Sequence, residues 1–582
     1  MSIYKKIGWF FKQEKRAYVI GLMMLLLVAI LQAVNPYIIG RMIDAIVSKE
    51  LTMRQTVWFI GLLLLTGITQ YVARYIWRTN IFGTASKLDR ILRTRLFRHY
   101  TNMDQPFFDR HRTGDLMAHA TNDLSAIRMV AGPGILTFAD SIFTGGSTLI
   151  AMLVFVDWRL TLIAMMPLPF LILSSNLIGR KMHTGFKQAQ AEFSNLNSKV
   201  QESVSGVRVI RTFGEEHEDL KQFKKHTEAV FEANKRVNRL DALFNPNINF
   251  FTGLSYMLTI IFGGWLITTK QLSLGQFIAF INYISMMIWP MLAVGRLVNV
   301  LQRGSASYDR VDALLNEQSS IYLKEDGKQE NGHGELALHI DHFQYNESQS
   351  GHLNNIHLTV KPGETLGIVG KTGSGKTTLF KLLLRQYDHY QGTITLNNEH
   401  ILNYDLDYYL NQLGYVPQDN FLFSTTILDN IRFRNPGLPL EAVKEAARLA
   451  DIDEAISEFP EGYETLVGER GVSLSGGQQQ RISIARALVS DPQILILDDS
   501  LSAVDAKTEE RILAHLKQER HNKTTIIAAH RLSSVMHANE IVVIDEGTIA
   551  ERGTHDDLMA LKGWYYDMYQ RQQVEQSLKG GA

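Results

Sequence analysis

The sequence predicts two fold classes in one chain: an α-helical membrane domain of six spans, then an α/β domain built on a phosphate-binding loop. Three observations predict this. The first half carries long apolar runs, and Ala17 to Gly40 contains no charged residue. The second half carries short β-rich runs such as "TLGIVG" and "ILILD", alternating with helical patterns, as parallel strands with crossover helices require. Between one such strand and the helical "TTLFKLLLRQ" stands "GKTGSGKT", residues 370–377.

The apolar runs come first along the chain. A helix of about 20 residues crosses a hydrocarbon core of about 30 Å. Ala17–Gly40 is long enough, and further spans are expected near Val57–Phe82, Ala131–Val156, Leu160–Gly179, Leu243–Thr268 and Leu272–Leu301. Lys5, Lys6, Lys12, Lys15 and Arg16 precede the first span, and Lys87, Arg90, Arg93, Arg95 and Arg98 follow the second. The positive-inside rule then puts the N-terminus, the two long loops and the second half in the cytoplasm of a multi-pass plasma-membrane protein. The connections after spans one, three and five are short, the tightest being "DWR", Asp157 to Arg159. Arg74 and Arg78 are expected in wet helix extensions beyond the bilayer. Asp140 is open between that reading and a transport path, since charge inside a membrane often marks one.

Length and composition fit this division. The 582 residues exceed one ordinary domain, and the mean hydropathy of −0.06 averages two unlike halves. A formal net charge of +0 argues against a nucleic-acid partner. The absence of cysteine excludes disulfides, zinc–thiolate sites and cysteine nucleophiles. The polar, glycine-bearing stretch 316–335 reads as a linker, which divides the chain into a membrane domain at 1–315 and a nucleotide-binding domain at 336–582.

The chemistry concentrates in the second half. In "GKTGSGKT", Gly370, Gly373 and Gly375 let the backbone curl so that its N–H groups face phosphate, and the following helix N-terminus favours an anion. Lys376 is placed to reach the β- and γ-phosphates and Thr377 to ligate Mg²⁺. Lys371, Thr372, Ser374 and Thr378 complete the expected ATP-binding set. The strand "ILILD" supplies Asp498 as the magnesium-side acid. "LSGGQ" at 474–478 opens another helix, whose Ser475, Gly476, Gly477 and Gln478 present a second anion-binding helix start. One nucleotide needs only one phosphate loop, so two such domains are expected to face each other, each completing the other's site.

Phosphate loop, LSGGQ and acidic strand end, in one chain after six spans, resemble an ABC transporter of the exporter type over nearly the whole chain. The resemblance implies ATP and Mg²⁺ as cofactors, membrane lipid as surroundings and a small amphipathic substrate. It also implies residue roles. Tyr345 of "FQY" would stack on adenine. Gln418 of "YVPQDN" would contact Mg²⁺ and the attacking water. Glu469 of "GERG" and Asp505 of "SAVD" would lie between subunits, and His530 of "AAHRLSS" would contact the γ-phosphate. "FFDRHRTGDLMAHATNDL" (107–124) and "ESVSGVRVIRTFGEE" (202–216) resemble the coupling-helix regions.

One departure matters. Where the family carries a catalytic glutamate after the strand-end acid, this chain has Asp499. Aspartate is one methylene shorter, about 1.5 Å, and general-base work needs reach of about 2.6–3.2 Å. This chain's own site is therefore expected to bind ATP and hydrolyse it poorly, while its intact LSGGQ serves a partner. The expected protein is one half of a heterodimeric multidrug exporter whose partner supplies the glutamate. A homodimer, or export of a lipid or peptide, stands as the alternative.

Overall fold

The computed structural model describes residues 2–324, 326–329, 335–345, 352–468, 471 and 474–580. Packing divides the chain into two units, Met1–Thr101 with Arg112–Glu317, and Asn102–His111 with Gln318–Ala582.

Among the described residues, the first unit holds six helices long and apolar enough to cross a membrane. They are α1 (Lys15–Val47), α2 (Met53–Thr101), α4 (Thr113–Phe155), α5 (Trp158–Ser205), α7 (Glu216–Thr268) and α8 (Leu274–Asn316). The short helix α3 (Gln105–Arg110) precedes α4, and α6 (Val207–Phe213) precedes α7. Each expected span falls on one of the long helices, to within two residues at its ends. The helices outrun a bilayer, α2 with 49 residues and α7 with 53, which gives the charged flanking segments room beyond it.

Local chemistry sets the ends. Asp157 caps the segment after "DWR", its carboxylate accepting from the N–H groups of Arg159 (2.8 Å) and Leu160 (3.0 Å). At the start of α8, Ser273 and Gln276 cap reciprocally. Asp44 of α1 accepts there from Ser273 Oγ and the Gly275 N–H, both at 2.7 Å, an anion at a helix N-terminus. α4 is interrupted by two π-turns, at His119–Asp123 and Val130–Gly134. The second contains Pro133, whose missing N–H cannot continue the ordinary ladder. Only 17% of the most apolar stretch of α2 is buried within the chain. That much exposed apolar surface needs lipid or another subunit to cover it.

The second unit is built on two sheets. The larger has strand order β10-β9-β3-β8-β7-β6, with β3 (Thr365–Val369), β6 (Leu413–Val416), β7 (Ile494–Asp498), β8 (Thr524–Ala528), β9 (Glu540–Asp545) and β10 (Thr548–Gly553). Its strands pair in parallel except β10 with β9. Every residue of β7 and β8 is buried, which is why these segments read as unbroken apolar runs. The smaller sheet is antiparallel, β2-β1-β4-β5, from β1 (Leu336–Gln344), β2 (His352–Val360), β4 (Gln391–Leu396) and β5 (Glu399–His400). It adds to the parallel domain that the sequence predicts.

Two segments outside the sheets join this unit. α3 is capped by Asp104, which accepts from the Phe107 N–H at 3.0 Å. Asp104 also accepts from Ser319 Oγ (3.2 Å) and Ser320 Oγ (2.7 Å), and the Tyr387 hydroxyl donates to Asp109. The described part of the linker is docked. Tyr322 donates its N–H to Asp388 Oδ2 at 2.9 Å, and its carbonyl accepts from Arg385 at 2.6 Å. The Lys328 N–H donates to Asn403 O at 2.9 Å. Residues 325 and 330–334 of the linker lie outside the described residues.

Candidate functional site

Strand order assembles the site. β3, β8, β7 and β6 lie side by side and parallel, so the loops leaving their carboxyl ends share one edge of the sheet. That edge is where open α/β sheets bind ligands. The loop after β3 is Gly370–Gly375, after β8 comes His530, Asp498 ends β7 with Asp499 next after it, and after β6 comes Gln418. A cavity of about 280 Å³ lies there, lined by Thr372, Gly373, Ser374, Gly375, Lys376, Thr377, Thr378, Gln418, Asp498, Asp499 and His530.

The phosphate loop has the backbone its glycines permit. Gly375 has φ +110°, where a side chain is strained. A Cβ on Gly370 would stand 2.1 Å from the Ile544 carbonyl oxygen. From Gly375 the chain enters α9 (Lys376–Leu383). The Lys376 ammonium donates to the carbonyls of Gly370 (2.8 Å) and Lys371 (3.0 Å). The Lys371 side chain points elsewhere and pairs with Asp545 at 3.5 Å. Among the described residues the buried Ser374 Oγ has no hydrogen-bond partner. An orphaned hydroxyl in a cradle of N–H groups fits a phosphate oxygen.

The acids differ in setting. Asp498 is buried and accepts from Thr377 Oγ1 (3.3 Å) and Tyr415 Oη (3.4 Å). Burial raises its carboxyl above the usual range against those two hydrogen bonds, and Asp499 beside it raises it further. Burial also lowers the Lys376 ammonium, with both aspartates opposing. Both shifts are the cost of charge out of water, and a bound cation and a bound polyphosphate would reverse them. Asp499 has φ +46°, and its Oδ1 accepts from the His530 N–H at 3.4 Å.

Tyr345 lies next to this cavity. Its hydroxyl donates to Thr378 Oγ1 at 3.2 Å, its ring packs edge-on to Tyr387 with centroids 5.1 Å apart, and Lys381 lies 5.4 Å over it. The LSGGQ residues do not line the cavity. Ser475 caps α10 (Gly476–Leu488) reciprocally with Gln478, and Ser475 and Gly476 are exposed. Asp505 caps α11 (Ala506–Glu519), accepting from the Thr508 N–H at 3.1 Å. Glu469 lies outside the described residues.

Three residues that the sequence reading missed belong here. Tyr415 holds Asp498, Tyr387 backs Tyr345, and the buried Gln480 of α10 accepts from the Ala503 N–H (2.9 Å) and donates to Ser502 Oγ (3.3 Å). Gln480 thus ties the LSGGQ helix to the loop after Asp499. Only Tyr415 carried a sequence signal, an aromatic in the strand leading to Gln418.

Comparison with known proteins decides the family. Residues 18–291 match the ABC transporter transmembrane region and residues 353–502 match the ABC transporter domain. The chain belongs to the ABC transporter family. It is 43% identical over 581 residues to the "Probable multidrug resistance ABC transporter ATP-binding/permease protein YheI" of Bacillus subtilis (strain 168), covering 100% of this chain and 99% of that protein. To the "Multidrug resistance-like ATP-binding protein MdlA" of Escherichia coli (strain K12) it is 41% identical, over 99% of this chain and 98% of that one. The fold matches the "Structure of a bacterial Atm1-family ABC exporter with ATP bound", with a TM-score of 0.78 at 23% identity, over 96% of this chain and 99% of that chain. This ABC transporter is accordingly a multi-pass membrane protein with a cytoplasmic nucleotide-binding domain, and its ATPase drives transport.

Proposed function

We propose that this chain is one half of a dimeric multidrug exporter of the plasma membrane, paired with a different half-transporter, and that its own ATP site is degenerate. The cargo is a small amphipathic compound. Thr377, Asp498 and Gln418 hold Mg²⁺, whose charge assists phosphoryl transfer when bound. Lys376 and the loop N–H groups hold the phosphates, and Tyr345 stacks on adenine. His530 meets the γ-phosphate. Ser475, Gly476, Gly477 and Gln478 complete the partner's site, with Asp505 and Glu469 at the subunit boundary.

One observation carries the heterodimer: Asp499 stands where general-base reach calls for glutamate. Two others support it. The Asp499 carboxylate is engaged by the His530 N–H, and the start of α10 is exposed and apart from this chain's own cavity, as a surface serving another chain requires. The names of the two relatives support drug-like cargo. The test is ATPase activity of the purified chain alone and with the half-transporter encoded beside it. Slow turnover alone and brisk turnover together is the expected result; brisk turnover alone overturns the reading in favour of a homodimer. Transport assays with drugs, lipids and peptides separate the cargo classes.

A further inference from the structure

The segment that carries His530 is gripped by a residue near the end of the chain. It leaves the larger sheet after β8, where the Ala529 N–H still donates to the Ile368 carbonyl at 3.1 Å. By Leu532 it has entered a short 3₁₀ turn, Leu532–Ser534. Backbone groups between a strand and a turn need partners of their own, and Gln572 supplies two. Its Nε2 donates to the His530 carbonyl at 2.8 Å, and its Oε1 accepts from the Leu532 N–H at 2.9 Å. One side-chain amide, which donates and accepts at once, thus holds the peptide groups on both sides of Arg531.

Gln572 lies on α12 (Trp564–Gly580), and that helix has anchors of its own. Glu551 accepts from the N–H groups of Trp564 and Tyr565. Tyr565 is fully buried, and Met568 and Tyr569 pack against the core of the domain. Positions 565, 568, 569 and 572 share one helix face. An apolar residue at 572 would simply extend that face. A half-buried glutamine paired to backbone instead serves the segment it touches.

That segment reaches the nucleotide site. His530 lines the phosphate cavity with Lys376 and Asp499. Its own N–H makes a long contact of 3.4 Å to Asp499 Oδ1, so the shorter hold on its backbone is the one from Gln572. Arg531 fastens the other side, donating to the Val504 carbonyl at 3.1 Å and to Glu509 Oε2 at 3.3 Å. Charge-assisted hydrogen bonds to phosphate are short, about 2.7–2.9 Å, so a small turn of the His530 backbone is felt at the far end of the imidazole. We infer that Gln572 is a positioning residue for this chain's ATP site: it fixes the His530 backbone so that the imidazole meets the γ-phosphate, and α12 thereby takes part in telling ATP from ADP. The inference deepens the proposed role of His530 and rests on it.

The test is equilibrium nucleotide binding to the purified full-length chain in lipid nanodiscs with Mg²⁺, read by displacement of a fluorescent nucleotide. The probes are ADP and adenylyl imidodiphosphate, which keeps a γ-phosphoryl group and resists hydrolysis. Gln572→Met keeps the length of the side chain and its packing but lacks the amide. Gln572→Glu keeps the acceptor for Leu532 and sets a carboxylate oxygen against the His530 carbonyl. Both are expected to weaken the triphosphate analogue by about tenfold, the range of one or two hydrogen bonds, and to leave ADP affinity at the parental value, which also shows that the site is folded. His530→Ala is expected to lose the preference for the triphosphate, and adding Gln572→Met to it should change the ratio of the two affinities no further, since residues that act through one another are not additive. The inference is overturned if Gln572→Met leaves that ratio at the parental value, or weakens both nucleotides equally, or lowers the ratio as much without His530 as with it; the last two results mark a role in folding alone. If His530→Ala itself keeps the parental ratio, the reading of His530 at the γ-phosphate fails and the inference falls with it. If His530→Ala loses the preference and Gln572→Met does not, that reading stands and only the inference fails.

Discussion

Replacing Asp499 with glutamate tests the proposed degeneracy of this site at its cause. The substitution extends the carboxylate by one C–C bond, about 1.5 Å. Positional errors near 1 Å at a reacting group cost on the order of 100-fold in rate. Asp499→Glu is therefore expected to speed hydrolysis at this chain's site by about 100-fold, or about 2.7 kcal/mol of barrier at 1.36 kcal/mol per tenfold. The backbone sets an opposing term. Asp499 sits at φ +46°, a conformation that short polar side chains tolerate better than longer ones. A stability loss of about 1 kcal/mol should accompany the gain in rate. The assay is steady-state ATPase of the two-subunit complex, with the partner's own glutamate changed to glutamine so that only this site reports. A rate within twofold of the parent would refute reach as the defect, and a large rate already present in the parent would refute degeneracy.

Other perturbations separate the parts. Ser475→Arg should leave nucleotide binding to this chain intact and abolish turnover in the complex, checked by nucleotide-analogue fluorescence beside ATPase. Tyr345→Ala should weaken ATP binding by about tenfold or more, from stacking worth about 1–3 kcal/mol, while Tyr345→Trp retains it; equilibrium titration decides. Asp104→Asn tests the hold on α3. Burial favours the neutral acid, but hydrogen bonds from Ser320, Phe107 and Ser319 outweigh it and keep the carboxyl below its usual range. The ionised form therefore contributes stability that is fully present above an unfolded value of about 3.9 and is lost as pH falls through the lower folded one. The variant should cost about 1–3 kcal/mol near neutrality and flatten this acid-side loss, as read from melting temperature against pH.

Legibility followed the range of the interactions. The spans were plain because membrane burial imposes one long apolar pattern, and β7 and β8 were plain because both faces are covered. The phosphate loop was plain because glycine, lysine and threonine act through local backbone geometry. The antiparallel sheet was less visible: β1, "LALHIDHFQ", opens on three buried residues and alternates only in part after them. Its two histidines and one aspartate blur the apolar pattern. Contacts between distant segments left no trace. Nothing in the sequence pairs Tyr387 with Asp109 or Gln480 with Ala503. Nor does spacing reveal that Asp499 adopts a left-handed backbone.

That last conformation bears on how such a site is kept or lost. Glutamate and aspartate codons differ at a single third base. At a left-handed position the change from glutamate to aspartate eases the backbone while it removes reach, so folding and turnover pull in opposite directions. A transporter with two equivalent sites must resist that drift twice. Once two different subunits share the work, only one of them needs to resist it, and the other is free to settle into the more comfortable residue.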